Sequence, residues 1–187
     1  MVVLKKEQKT KRKVYLLLTK FPDTGTKIIN ILTGLKYPHA SIGLEEDMNT
    51  FYSFVAKGFI VEDINRYAKP GRKTIPCQLY EMYVTEETYL KIKQVLDYFI
   101  EFKDLFYYSR TSLTLSILKL PYKRSRFGFF CSQFVAYILQ KSQANKEIKS
   151  VNQYFSDDLS CISGMRLKYQ GNLRSMLDRF CVLPCPV

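Results

Sequence analysis

One histidine and five cysteines carry most of the nucleophilic and acid–base chemistry this chain can offer near neutral pH. Cys131 lies in "FGFFCSQFVAYIL", residues 127–139, where an amphipathic run follows it directly. A helix that begins near Phe130 or Cys131 puts the thiol in its first turn. There the free N–H groups and the helix dipole favour a thiolate. Phe134, Val135, Ile138 and Leu139 make a buried stripe. Cys131, three and four residues before the first two, faces the same way, towards a sheet. Gly128 removes side-chain bulk just ahead of the thiol and reads as room for a substrate. A nucleophilic thiol needs a base that exchanges a proton near neutral pH, and His39, in "KYPHASIGLEE", is the one histidine. The plainer reading is a buried structural thiol, since free cysteine packs as a small hydrophobe. Cys77, Cys161, Cys181 and Cys185 have weaker cases, because none clearly opens an amphipathic helix.

The elements that must hold this pair follow from periodicity. Residues 14–21, "VYLLLTKF", read as a short buried strand. "KIINILTGL" reads as a short helix with Gly34 as its stop. In residues 39–46, Ala40, Ile42 and Leu44 alternate with His39, Ser41 and Gly43, which is strand spacing. "TFYSFVAKGF" reads as its hairpin partner, "INRYAKPGRKTIP" as a loop, and residues 77–85 as another strand. Thr85 is a helix N-cap with Glu86 and Glu87 in the first turn, and the helix runs to about Phe102. Its apolar stripe is Tyr89, Ile92, Leu96, Phe99 and Ile100. Residues 104–126 read as a helix and a basic loop, the Cys131 helix runs to about Lys141, and "MRLKYQGNL" reads as a last strand and turn. The result is one α+β domain over residues 14–187, with a mostly antiparallel sheet packed against the Cys-bearing helix.

The 187 residues are 47% hydrophobic and 25% charged, enough for a real core. The formal net charge is +12, and residues 5–13, "KKEQKTKRK", hold six of the basic residues. Residues 1–13 read as a solvated basic arm, with weak contact to an anionic surface as its functional alternative. No nucleic-acid-binding motif accompanies the charge, so specific nucleic-acid binding is not expected. The cysteines lack zinc-finger spacing, and "CVLPC" has no partner pair, so neither metal nor other cofactor is expected. A Cys181–Cys185 bridge is open but not required, and the odd count suits a reducing compartment. No signal peptide and no window of eighteen apolar residues appears, so a cytoplasmic protein is expected.

"YPHASIGLEEDMNTFYSF" followed much later by "FFCSQFVAYIL" resembles the circularly permuted NlpC-like branch of the papain-like cysteine hydrolases. That branch includes the YiiX-type bacterial proteins and, more distantly, lecithin:retinol acyltransferase. The resemblance covers about residues 14–142. It implies a permuted papain-like fold, with Cys131 as nucleophile and His39 as general base. It also implies acyl transfer from a peptide, amide or lipid-like acyl substrate through a thioester, the Cys131 backbone N–H serving as an oxyanion donor. The family commonly carries a third polar residue on the strand after the histidine. Here residues 50–56 hold no His, Glu, Asp, Asn or Gln. Ser53 is the nearest polar candidate for that place and Tyr52 the next. A serine cannot stabilise imidazolium as a carboxylate does. The alternative is therefore a binding protein on the same fold with weak or no activity.

Overall fold

The computed structural model describes residues 11–180, apart from 23, 68, 70, 72, 148 and 149. Cys181 and Cys185, and their possible bridge, lie outside the described residues. In chain order the elements are β1 (Lys11–Thr19), α1 (Thr24–Thr33), β2 (His39–Leu44), β3 (Asp47–Val55), β4 (Gly58–Asp63), β5 (Pro76–Thr85) and α2 (Glu86–Glu101). They continue as β6 (Tyr107–Tyr108), α3 (Arg110–Ile117), β7 (Gly128–Phe129), α4 (Cys131–Lys141), α5 (Ser156–Ser160), β8 (Arg166–Asn172) and α6 (Leu173–Phe180). Six strands form one sheet in the order β4-β3-β2-β1-β5-β8, and every pairing in it is antiparallel. The short β6 and β7 pair in parallel beside it. The chain is thus α+β with a mostly antiparallel sheet.

Alternation divides the sheet into two apolar faces. Val14, Leu16, Leu18, Ala40, Ile42 and Phe54 share one core with Tyr89, Leu96 and Phe99 of α2 and Phe134, Val135 and Ile138 of α4. Tyr15, Leu17, Phe51, Cys77 and Leu79 face the other way and pack with Leu173, Met176 and Leu177 of α6. His39 and Ser41, out of phase with Ala40 and Ile42, belong to this second side.

Aromatic packing fixes the start of α4. Phe54 is fully buried, with its ring 5.3 Å from that of Phe129 and 5.1 Å from that of Phe134. Phe99 stacks on Phe106 at 4.2 Å. Such pairs add roughly 0.5–1.5 kcal/mol each beyond their area burial. Two residues of "FGFFCSQF" therefore anchor the helix end that carries the thiol. Ser132 adds a hydrogen bond to the Tyr154 carbonyl at 2.9 Å. The Gln133 amide donates to Asn152 Oδ1 at 2.9 Å and to the Tyr122 hydroxyl at 3.0 Å.

Several sequence expectations need correction. Residues 50–59 are not one strand: Ala56 and Lys57 turn the chain, and β4 returns along β3 with Val55 opposite Gly58. That loop lacks the Asn-Gly or Gly-X signature of a two-residue hairpin, so periodicity ran through it. Gly58 takes φ +106°, and a Cβ there would lie 2.7 Å from the Phe106 carbonyl oxygen. The chain after "MRLKYQGN" forms α6 rather than a turn. Ile100 is exposed, off the buried stripe of α2. Lys11, Arg12 and Lys13 belong to β1 rather than to an arm. Arg12 is committed there to ion pairs with Glu45 and Glu86, and its guanidinium lies over the Tyr89 ring. Gly128 opens no path to the thiol, because a Cβ there would lie 3.0 Å from the Tyr107 ring. The expected Thr85 cap is present, its hydroxyl accepting from Thr88 N–H at 3.2 Å.

Candidate active site

α4 begins at Cys131 itself, with Phe130 as an N-cap that offers no side-chain hydrogen bond. The first N–H groups of the helix have no intrahelical acceptor and are left for the thiol and for a ligand. The thiol is 6% exposed. In its neutral form it donates to the Pro38 carbonyl at 3.6 Å. Pro38 immediately precedes His39, so this contact places the sulfur at the start of β2, beside the imidazole.

The His39 ring nitrogen Nε2 faces Ser41 Oγ at 3.3 Å and Glu62 Oε2 at 3.9 Å. Ser41 Oγ donates to Glu62 Oε2 at 3.4 Å. With Nε2 turned that way, Nδ1 is the ring nitrogen left for the sulfur. Glu62 is buried, and its other oxygen accepts from the Tyr67 hydroxyl at 2.7 Å and from Arg66 at 3.5 Å. The Phe21 ring meets the imidazole at 5.2 Å and the Tyr67 ring at 5.0 Å, which walls this side off from water.

Ser41 and, behind it, the carboxylate of Glu62 are therefore the polar groups at the imidazole, and Ser53 is not. Ser53 is buried on β3, and its hydroxyl donates to the Ala40 carbonyl at 2.6 Å. Glu62 reaches the site from β4, one strand further out, opposite Phe51 in the register. It escaped the sequence reading because β4 did. The β-branched run "GFIVED" after Lys57 was the signal that a second strand follows. Tyr52 points to the opposite side and packs against the α2–α4 core.

Electrostatics tie these groups together. Burial pushes the Cys131 thiol up. The hydrogen bond and positive charge of His39, with the N–H groups of Ala40 and Ser132, more than offset this, so the thiol sits below its ordinary value. Burial pushes the His39 imidazole down. Hydrogen bonds to Cys131 and Glu62, and the negative charge of both, hold it well above the ordinary histidine range. Burial raises Glu62, yet its hydrogen bond and charge pairing with His39, the Tyr67 hydroxyl and the Arg66 charge bring its carboxyl below the usual value. The directions agree on a thiolate–imidazolium pair backed by a carboxylate.

The pair opens into a cleft of about 1030 Å³. Ile29 and Leu32 of α1 line one wall, and Leu113 and Ile117 of α3 the other. His39, Glu62, Tyr108 and Cys131 stand at its base. Burial, and then the nearby Cys131 charge, hold the Tyr108 phenol above its ordinary value, so it is a protonated donor beside the sulfur. Among the described residues no group of three His, Cys, Asp or Glu converges as metal ligands would. No helix among them is long and apolar enough to cross a membrane.

No protein-family model matches the chain, and no curated protein matches it.

Proposed function

We propose that the protein is a thiol-dependent acyl hydrolase or acyltransferase of the permuted papain-like, NlpC-like kind. The observation that carries this reading is the buried Cys131–His39–Ser41–Glu62 chain at the base of an apolar cleft. The element order supports it as well: strand, helix, His-bearing strand, partner strand, then the Cys-bearing helix.

In the proposed reaction the Cys131 thiolate attacks the carbonyl carbon of an ester or amide. A C–S bond forms, and the carbonyl electron pair moves to oxygen. In this reading the Cys131 N–H, with the Tyr108 hydroxyl at the base of the cleft, donates to that oxyanion. The intermediate collapses with cleavage of the bond to the leaving alkoxide or amine, which takes its proton from His39 Nδ1. A water, or an acceptor amine, then gives its proton to His39 and attacks the thioester, releasing the acyl group and restoring the thiol. Glu62, directly and through Ser41, keeps Nε2 protonated and stabilises the imidazolium. An apolar cleft accepts an acyl chain more readily than a polar peptide backbone, whose amides would go unpaired there.

The test uses p-nitrophenyl esters of graded acyl length. A burst of p-nitrophenol near one equivalent per chain is expected, growing with acyl length, with an acyl mass on the Cys131 peptide. No burst and no adduct at any length would leave the fold as a binding module.

A further inference from the structure

The walls of the cleft end in apolar side chains that are left exposed among the described residues. Ile31 is 80% exposed and Leu32 63% at the end of α1, and Leu118 is 59% exposed just past α3. Leu120, close behind, is exposed too. Leu32 lines the cleft from one side and Ile117 from the other, so these tips flank its mouth. Clustered exposed Ile and Leu on an otherwise well-packed domain mark a contact made with something else.

Charge says what that something is. Residues 24–44, which include α1, contain no Asp or Glu. Residues 105–146, which include α3, contain none either, while holding seven Lys and Arg. Lys36, Lys119 and Lys123 are exposed within a few residues of the apolar tips along the chain, and Lys73 and Arg110 line the cleft. The one carboxylate of the cleft lining, Glu62, is buried at its base. Apolar tips amid lysines, with no acidic residue among them, match a layered ligand with phosphates outside and hydrocarbon just beneath. Nucleic acid supplies the phosphates but has no layer to receive Ile31 and Leu118.

We propose that the mouth of the cleft seats on an anionic lipid bilayer. Ile31, Leu118 and Leu120 enter the acyl layer, and Lys36, Lys119 and Lys123 meet the headgroup phosphates. The cleft then opens onto the membrane, which is where an acyl substrate partitions. This proposed surface draws on no residue ahead of β1 and does not depend on the thiol chemistry.

The chain has no tryptophan, so Leu118→Trp installs a single reporter. Mixed with phosphatidylcholine vesicles containing phosphatidylglycerol, its emission shifts to the blue, and the protein floats with the vesicles. Ile31→Asp with Leu118→Asp lowers vesicle binding at least about tenfold, as does Lys119→Glu with Lys123→Glu. Because all four side chains are exposed, both double variants keep the wild-type melting temperature. Cys131→Ser binds vesicles as the wild type does, so a failure of the catalytic reading leaves this result standing. The proposal is overturned if anionic vesicles are not bound at all. It is equally overturned if both double variants bind like wild type, or if an acidic protein competes for the lysines while the Leu118→Trp emission stays unshifted.

Discussion

Cys131, at the start of α4, and Cys77, in β5, are both buried thiols, and their surroundings shift them in opposite directions. Cys77 is fully buried in β5, among the apolar side chains that pack against α6. Burial alone pushes its thiol up to about 12. Burial raises the Cys131 thiol too, yet that thiol sits below the ordinary value. What differs is the surroundings. Cys131 opens a helix and meets an imidazole that a carboxylate keeps charged, whereas nothing near Cys77 offsets its burial. Burial by itself therefore does not set the direction in which a thiol shifts; the groups that answer the buried charge do.

The contrast is sharpest in reactivity. At about pH 6, iodoacetamide should alkylate Cys131 in the folded chain while Cys77 stays unmodified until the protein unfolds, a rate ratio above ~10³. Peptide mass mapping reads this, with exposed Cys161 as the access control. Equal protection of both buried thiols would end the comparison. Next in size, His39→Ala should slow Cys131 labelling at that pH by ~10–100-fold and leave Cys77 as it was. An unchanged rate would mean that the helix start alone holds the thiolate.

Glu62→Gln should lower turnover by ~10–100-fold and labelling by less, since the amide keeps the shape but not the charge. The same variant changes the acid limb of stability. The folded Glu62 carboxyl lies below its ordinary value, so its contribution is full above about pH 4.3. It is lost as pH falls through the folded value. Wild type should therefore lose melting temperature between about pH 5 and 3 more steeply than Glu62→Gln does. Parallel acid limbs would place the carboxylate outside the ionised chain. The smallest effect belongs to Ser53→Ala. It should cost about 1 kcal/mol of stability through the lost bond to the Ala40 carbonyl, and leave Cys131 labelling unchanged. A slowed labelling rate would return Ser53 to the site.

Much of this was legible in the chain because it depends on local repeat. Period-two spacing fixed which side of β2 carries His39. The stripe from Phe134 to Leu139 fixed where α4 begins and which way Cys131 faces. Gly34 ends α1 at φ +70°, as a glycine stop should. What stayed hidden depends on turns and on contacts across strands. Ala56-Lys57 gives no turn signal, so β4 and Glu62 with it were invisible. The α6 stretch "LRSMLDRF" shows its apolar side only once Tyr15, Leu17 and Leu79 present a face to cover.

The sequence by itself determined the helix start that carries Cys131 and the strand that carries His39, because helix starts and strand faces are set by residues a few positions apart. The tertiary structure alone decided that Glu62 lies beside His39 and that the Ser53 hydroxyl turns to the Ala40 carbonyl instead. It also decided that Gly128 makes room for a tyrosine ring, and that α1 and α3 stand apart as the walls of an apolar cleft. Those outcomes depend on which side chains fill the same space, and strand pairing sets that between residues more than twenty positions apart.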